Sequence, residues 1–234
     1  MKNIAIIPAR GGSKRIPRKN IKDFLGKPII AYSIEAALHS GLFEEVMVST
    51  DDEEIAAVAK KYGANVPFLR SSATSDDFAT TASVLTEVLQ EYATAGANFE
   101  YGCCLYPTAP LVKITSIKEA FELTTSQQYH TVFPVLRYSY PIWRSLTMVG
   151  DKALMNCPEH LLSRSQDLPA SFHDAGQFYW FNVKVFMEKQ ELFTNNTGAI
   201  ELSELEVQDI DNLSDWKLAE LKYSLRATEG TNNE

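Results

Sequence analysis

Cysteine is scarce in this 234-residue chain, which contains three. Cys103 and Cys104 are adjacent in an apolar run, where neighbouring side chains of a strand point to opposite faces, and Cys157 stands apart from them. No spacing among the three suits a disulfide framework or a zinc site. We therefore expect a protein of a reducing compartment, the cytoplasm.

Long hydrophobic runs are also missing. The apolar segment NIAIIPA, residues 3–9, is too short for the core of a signal peptide or for a membrane span. We therefore expect a soluble protein with no membrane partner.

Positive charge is rare outside the N-terminal segment. The chain has a net charge of -8, yet residues 1–30 carry eight lysines and arginines against one acid, Asp23. An acidic surface of this kind repels a nucleic-acid backbone, so the basic segment fits a small polyanion better than DNA or RNA. We expect no nucleic-acid partner.

Short apolar segments alternate with amphipathic ones, which predicts an α/β fold. Residues 3–9 are apolar almost throughout, as in a parallel strand that is buried on both faces. The whole pattern predicts a doubly wound, mostly parallel, Rossmann-like sheet that binds ligands at the carboxyl ends of its strands. The predicted strands cover residues 3–9, 44–50, 65–70, 101–110, 131–137, 176–186 and 198–211, and Pro107 and Pro110 are expected to break the fourth into a loop. The predicted helices cover residues 28–41, 51–63, 78–96, 115–128 and 214–226, with Gly41 ending the first and Asp51 or Asp52 capping the second.

The alternation lapses between Tyr138 and Ala175, where aromatic, proline and turn residues replace it. Within this stretch LTMVGDKALM predicts a β-hairpin. The interruption predicts an inserted arm at residues 138–175. The rest is then one α/β domain formed by residues 1–137 and 176–228, followed by a polar tail at residues 229–234.

The segment RGGSKRIPRKN, residues 10–20, follows the first predicted strand and is called the basic loop below. Its glycines permit close approach of the backbone to a ligand, and its cations can pair with phosphate oxygens. The pattern matches neither G-x-x-x-x-G-K-[ST] nor G-x-G-x-x-G, which disfavours a P-loop NTPase and a dinucleotide dehydrogenase. A solvated basic turn is the alternative, but strand placement, glycines and charge together favour phosphate binding.

The extended segment IPARGGSKRIPRKNI resembles the signature of the acylneuraminate cytidylyltransferase family, whose members couple nine-carbon α-keto sugar acids such as sialic acids to CMP from CTP. LRSSATSDDFATT, YPTAPL and LSRSQDLPASFHDAGQFYWF resemble further segments of that family in the same order. The resemblance spans most of the chain and implies a fold of the nucleotide-diphospho-sugar transferase type. It assigns the grip on the CTP triphosphate to Arg10, Gly11, Gly12, Ser13, Lys14, Lys19 and Asn20. Arg15 stands where the family commonly has glycine.

The second segment, LRSSATSDDFATT, implies by the same resemblance that Arg70, Thr80 and Thr81 read the cytosine and the ribose. A guanidinium suits the acceptor edge of cytosine, and hydroxyls can donate or accept. The alternative is a helix cap formed by Asp77 or Thr80, and both roles are compatible.

The third and fourth segments concern the sugar. In YPTAPL, Tyr106 replaces a family glutamine that faces the sugar, and Val112 replaces an arginine, which favours a non-standard sugar; simple drift at a strand end is the alternative. The run HDAGQFYW, residues 173–180, resembles the subfamily that makes CMP-pseudaminic acid. The expected sugar-acid contacts are Tyr106, Arg164, Gln166, His173, Asp174 and Gln177. For His173 and Asp174 the alternative is a solvated turn.

A pair of acids lies near the C-terminus. EVQDID places Asp209 and Asp211 two residues apart, which in a strand directs both carboxylates to one face. Such oxygen ligands suit Mg²⁺ that bridges triphosphate oxygens, and the resemblance associates this D-x-D with metal. The alternative is a capping region, residues 211–215, for the final helix.

The resemblance implies in-line attack by the anomeric hydroxyl of the sugar acid on the α-phosphorus of CTP, with release of pyrophosphate. The expected catalytic residues are Arg10, Lys14, Lys19, Asp209 and Asp211, which act through charge stabilisation and positioning. Alternatives are turnover of N-acetylneuraminic or legionaminic acid, transfer to a sugar 1-phosphate, and nucleotide binding without catalysis. The resemblance also implies a homodimer formed through the arm; a flap over the sugar site is the alternative.

Overall fold

The computed structural model describes residues 1–75 and 79–231, with side chains up to residue 226. In these residues a seven-stranded sheet has the order β11-β6-β10-β5-β1-β4, and β9 pairs with β6. The pairs β1–β4, β1–β5 and β6–β11 are parallel, whereas β10 is antiparallel to both of its neighbours. The strands of this sheet are β1 (Asn3–Pro8), β4 (Glu45–Ser49), β5 (Tyr101–Leu105), β6 (Thr131–Arg137), β9 (Phe172–Asp174), β10 (Phe178–Asn182) and β11 (Thr197–Leu202).

Helices cover both faces of the sheet, as the apolar character of the first strand predicts. In β1, Ala5 and Ile7 pack with α1, α2 and α4, whereas Ile4 and Ile6 pack with α3 and α5 on the other face. The expected mostly parallel α/β fold is therefore confirmed. The helices are α1 (Ile29–Ser40), α2 (Glu53–Lys61), α3 (Thr81–Thr94), α4 (Ile114–Ser126), α5 (Val183–Lys189) and α6 (Leu213–Thr231).

Several local predictions are confirmed. Gly41 ends α1 in the left-handed conformation with a φ of 67°, and Asp52 caps α2 by accepting hydrogen bonds from the backbone N–H groups of Glu54 and Ile55. Cys103 and Cys104 lie on opposite faces of the sheet and are free thiols. Of the described helices, none combines the length and hydrophobicity that crossing a bilayer requires.

Three predicted strands are wrong in extent. Asn65 makes a single β-bridge with Met47, and residues 66–70 join no strand. Residues 183–186 begin α5 because Asn182 caps it, with Oδ1 accepting from the Val185 N–H at 3.1 Å. The last strand ends at Leu202, where a 3₁₀ turn stabilised by a Ser203 capping box follows, so Asp209 and Asp211 lie outside any strand.

The arm, residues 138–175, contains the predicted hairpin as β7 (Leu146–Val149) and β8 (Lys152–Met155), which form a separate two-stranded sheet. A further short ribbon, β2 (Asp23–Phe24) with β3 (Lys27–Pro28), follows the basic loop. The arm ends in β9, which returns to the main sheet beside β6. Helix α6 continues into the predicted tail as far as Thr231, and residues 232–234 lie outside the described part.

Candidate active site

A cavity of about 480 Å³ opens at the carboxyl ends of β1 and β5. These two strands are neighbours in the sheet and run parallel, so the loops that follow them meet at one edge. The cavity therefore gathers residues that are distant in sequence, and it is lined by Pro8, Arg10, Ser13, Lys14, Arg15, Lys19, Asn20, Arg70, Ala79, Thr81, Val84, Tyr106, Pro107, Thr108 and Asp209.

Hydrogen bonds between side chains and the backbone fix the shape of the basic loop. The Gly11 N–H donates to Asp51 Oδ1 at 2.9 Å, and Asn20 Nδ2 donates to the Arg10 carbonyl at 2.9 Å. A Cβ on Gly11 would lie 2.7 Å from Asp52 Oδ2, whereas one on Gly12 would meet nothing within 4 Å. Gly11 is thus required by the close approach of α2, and Asn20 holds the loop in place.

The basic loop is joined to the acidic pair. Lys19 Nζ donates to the Ile210 carbonyl at 2.6 Å, and the Arg15 guanidinium lies 2.7 Å from Asp211 Oδ1. Beneath them, Ile16 and Ile210 are buried in one apolar cluster with Trp216 of α6. Because Ile210 points into this cluster, the acids on either side of it remain beside the cations.

The charges at this junction influence one another. Burial lowers the pKa of Lys19, and the negative charges of Asp211 and Asp209 oppose that shift. Burial raises the pKa of Asp209, and the nearby charge of Asp211 raises it further. The charge of Asp211 thus disfavours the ionised form of Asp209, which a nearby cation would stabilise. No group of three acidic, histidine or cysteine side chains suited to a metal occurs in the described part of the chain.

Arg70 is buried and partly committed to the protein. Its Nη2 donates to the Ser49 carbonyl at 2.7 Å, its Nε donates to Ser49 Oγ at 3.1 Å, and its Nη1 donates to the Thr74 carbonyl at 3.4 Å. Of the five N–H groups of the guanidinium, three have acceptors among residues 1–75 and 79–231, which leaves two for a ligand in the cavity that Arg70 lines. Burial lowers its pKa, and Asp51 and Glu87 oppose that shift.

The two threonines have different positions. Thr80 caps α3, with its Oγ1 accepting from the Ser83 N–H at 3.1 Å, so the capping role is confirmed for this residue. Asp77, the other candidate cap, lies outside the described residues. Thr81 lines the cavity, and its Oγ1 lies 3.5 Å from the hydroxyl of Tyr106.

Most of the residues predicted to bind the sugar lie away from this cavity. Arg164 forms an exposed ion pair with Asp167 at 2.7 Å, and Gln166 lines a second cavity of about 460 Å³ between the arm and β11. His173 packs against Tyr138 with ring centroids 4.8 Å apart. Gln177 is buried and donates through Nε2 to the Glu206 carbonyl at 2.5 Å.

Asp174 is also away from the cavity wall. Its Oδ1 accepts from the Gly176 N–H at 2.8 Å, and its Oδ2 accepts from the Tyr179 hydroxyl. Of the predicted sugar contacts, the structure therefore places Tyr106 in the first cavity, while Asp174 faces Tyr179.

Comparison with known proteins decides the family. A family model described as Cytidylyltransferase matches residues 4–224. The chain belongs to the cytidylyltransferase family. This cytidylyltransferase is 44% identical over 226 residues to a pseudaminic acid cytidylyltransferase of Campylobacter jejuni subsp. jejuni, covering 96% of this chain and 97% of the relative. It is 34% identical over 224 residues to a CMP-N,N'-diacetyllegionaminic acid synthase of Legionella pneumophila, covering 94% and 95%.

A solved structure shares the fold. It is a CMP:2-keto-3-deoxy-manno-octonic acid synthetase complexed with CTP, with a TM-score of 0.72 and 19% identity, and the match covers 98% of this chain and 100% of the other. The family, the enzyme class and the α/β fold that the sequence segments indicate are thereby confirmed.

Two supporting residues of the cytidylyltransferase were missed at the sequence level as parts of the site. Asp51 holds the basic loop through the Gly11 N–H, and Asp52 binds the Arg18 guanidinium with Oδ1 and Oδ2, at 2.9 and 2.5 Å. The hydrogen bond from Arg18 lowers the pKa of Asp52 to about 2. Both residues directly follow β4, the neighbour of β1 in the sheet, and this position could have indicated that they support the basic loop.

Gly11→Ala is expected to lower the free energy of unfolding by about 1–3 kcal/mol, because the new methyl group must displace the Asp52 carboxylate that caps α2. Gly12→Ala adds the same methyl group in open space and is the matched control. Urea denaturation of both variants checks this, and equal stability of the two would refute the packing role of Gly11.

Proposed function

We propose that this cytidylyltransferase couples CMP from CTP to the anomeric hydroxyl of pseudaminic acid and releases pyrophosphate. One observation carries the proposal. A single cavity at the carboxyl ends of β1 and β5 gathers the basic loop, Arg70 and Asp209, in a chain that is 44% identical to a pseudaminic acid cytidylyltransferase.

The cavity supplies the charges that the reaction requires. Arg10, Lys14 and Lys19 line it and would neutralise the negative charge on the triphosphate and on the departing pyrophosphate. The two remaining N–H groups of Arg70 would donate to the O2/N3 acceptor edge of cytosine. Such a site acts by positioning and electrostatics, so a covalent intermediate is unnecessary.

The acidic pair fits a magnesium ion. Asp209 lines the cavity, and burial together with the charge of Asp211 raises its pKa. A divalent cation beside Asp209 would favour its ionised form. Asp209 and Asp211 would hold the ion together with phosphate oxygens, because Mg²⁺ commonly binds through one or two carboxylates and substrate phosphates. When bound, Mg²⁺ would polarise the α-phosphate and lower the pKa of the attacking hydroxyl.

The choice of sugar is tested by a substrate panel. Pyrophosphate release is measured with CTP, Mg²⁺ and pseudaminic, legionaminic or N-acetylneuraminic acid, and with the other nucleoside triphosphates in place of CTP. We expect the highest kcat/KM for CTP with pseudaminic acid. Equal efficiency with the other sugar acids would overturn the sugar assignment, and CTP binding without turnover of any of them would overturn the catalytic proposal.

We further propose that the arm forms a homodimer. Its exposed apolar side chains are numerous, which favours burial against a second copy. These side chains are Tyr138, Tyr140, Ile142, Leu146, Met148, Val149, Leu154, Leu161, Leu162 and Phe172.

We also place the enzyme in the cytoplasm, because its cysteines are free thiols; recovery in the periplasmic fraction would contradict this.

Met148→Asp is expected to convert the dimer to a monomer, because it introduces a charge into the apolar hairpin surface. Leu38→Asp adds the same charge at an exposed leucine in α1, outside the arm, and should remain dimeric. Light scattering coupled to size-exclusion chromatography gives both masses. A monomeric wild type would reject the dimer in favour of a flap.

A further inference from the structure

The segment that leads to the acidic pair is held by side chains and not by a sheet. Strand β11 ends at Leu202, and residues 203–211 join no strand. Asp209 nevertheless lines the cavity. Backbone carbonyl groups outside a sheet need other hydrogen-bond donors, and helix α6 supplies donors to two of them.

Lys222 is the residue of α6 that supplies these hydrogen bonds. Its Nζ donates to the Val207 carbonyl at 2.7 Å and to the Glu204 carbonyl at 2.8 Å. Burial lowers the pKa of Lys222, and the charge of Glu204 opposes that shift. One ammonium group therefore commits two of its three donors to residues 204–207, which end two positions before Asp209.

Two further side chains hold Glu206, and they come from other parts of the fold. Gln177, which directly precedes β10, donates from Nε2 to the Glu206 carbonyl at 2.5 Å. Lys113, which directly precedes α4, forms an ion pair with the Glu206 carboxylate. The carbonyls of Glu204, Glu206 and Val207 thus all accept from side chains, which replace the ladder of a strand.

Helix α6 also supports a second loop of the cavity. Arg226 donates through Nη1 to the Leu111 carbonyl at 2.6 Å, in the loop after β5 whose Pro107 lines the cavity. Trp216 of the same helix packs in one buried cluster with Ile210. Two of the loops that form the cavity are therefore held by one helix.

We propose that Lys222 is a positioning residue that holds Asp209 where its carboxylate can bind the magnesium ion of the nucleotide complex, and that Gln177 holds the same segment from β10. The inference rests on the proposed function. It assigns α6 a role in the reaction, although none of its described side chains lines the cavity. It also gives Gln177 a role other than the predicted contact with the sugar.

Magnesium binding is the property most sensitive to the position of Asp209. Mg²⁺ requires near-ideal octahedral geometry with ligands at about 2.0–2.1 Å, whereas the cations of the basic loop attract phosphate over longer distances. The increase in CTP affinity that Mg²⁺ produces therefore reports on this segment. A merely structural role of Lys222 would instead lower the midpoint of thermal unfolding, or weaken CTP binding equally with and without Mg²⁺.

Two variants release the segment in different ways. Lys222→Met removes both hydrogen bonds of the ammonium group and keeps an unbranched side chain. Gln177→Met removes the hydrogen bond to the Glu206 carbonyl; Oε1 of Gln177 has no hydrogen-bond partner among residues 1–75 and 79–231, so no second bond of this side chain is lost. Lys217→Met is the matched control, because Lys217 is an exposed lysine of the same helix.

Dissociation constants for CTP are measured by calorimetry with Mg²⁺ and with EDTA, for the wild type and the three variants, and thermal unfolding is followed in parallel. We expect the gain in CTP affinity from Mg²⁺ to fall about fivefold in Lys222→Met and in Gln177→Met, with the affinity in EDTA within about twofold of wild type. In assays of pyrophosphate release, the half-saturating Mg²⁺ concentration should rise by a similar factor. Lys217→Met should match the wild type in each measurement.

The inference is wrong if Lys222→Met keeps the same gain from Mg²⁺ as Lys217→Met, or if it weakens CTP equally with and without Mg²⁺. If Lys222→Met does not fold, Gln177→Met decides by the same criteria. A wild type whose CTP affinity does not respond to Mg²⁺ would refute the metal role of Asp209 and the inference with it. A wild type that responds to Mg²⁺ but turns over no sugar acid would refute the proposed function alone, because the calorimetric comparison needs no turnover.

Discussion

Asp209→Asn is expected to lower kcat by about 10³-fold without lowering the midpoint of thermal unfolding. The amide keeps the shape of the carboxylate but removes the charge that would hold Mg²⁺ and position the triphosphate. Stability should be preserved or raised, because burial and the neighbouring charge of Asp211 raise the pKa of Asp209, which means that its ionised form is disfavoured in the folded state.

The measurement is steady-state pyrophosphate release, with thermal unfolding followed in parallel. Glu53→Gln removes an equal charge from the first turn of α2. Glu53 does not line the active-site cavity, so this variant should behave as wild type. An Asp209→Asn enzyme that retains more than about a tenth of the wild-type kcat would contradict the catalytic role of the acidic pair.

Lys19→Met is expected to lower kcat/KM by about 10²-fold to 10³-fold. The substitution removes a cation that lines the cavity and also the hydrogen bond from Nζ to the Ile210 carbonyl, which joins the basic loop to the acidic segment. Because both parts of the site depend on this ammonium group, the effect should exceed that of losing one surface charge.

Lys22→Met is the matched control for that experiment. Lys22 is an exposed cation three residues further along; its Nζ lies 5.6 Å from the centre of the Trp216 ring, and it does not line the cavity. We expect a change in kcat/KM of less than about threefold for this variant. Equal losses of kcat/KM in the two variants would show that activity depends on the overall positive charge of this segment and not on the hydrogen bond from Lys19 to the Ile210 carbonyl.

Much of the fold was accessible from the sequence because its signals are local. The apolar run of β1, the glycine that ends α1, the aspartate that caps α2 and the hairpin of the arm each depend on neighbouring residues. The basic loop was recognisable for the same reason, since its glycines and cations follow a strand directly.

The acidic pair is held beside the basic loop by a different cause from the predicted strand. Asp209 and Asp211 do not belong to a strand, yet they remain on the same side as the basic loop. The reason is that Ile210 is buried beside Ile16 and Trp216, a contact between segments almost two hundred residues apart. Spacing alone indicated the arrangement but not what maintains it.

Other features depend on contacts that no local pattern encodes. The support of Gly11 by Asp51 requires the pairing of β1 with β4, and the ring contact of Tyr106 with Tyr179 requires β10 to lie beside β5. The contacts of residues in the arm were the hardest to predict from the sequence. Gln166 lines a second cavity and Arg164 pairs with Asp167, so their predicted contact with the sugar acid remains a proposal.

³¹P NMR of the purified product of CTP and pseudaminic acid decides whether CMP is transferred to an anomeric hydroxyl. We expect a product with one phosphorus atom, in a phosphodiester between cytidine and the sugar acid, and an equal amount of free pyrophosphate. A product with two coupled phosphorus atoms, or CTP recovered unchanged, would contradict it.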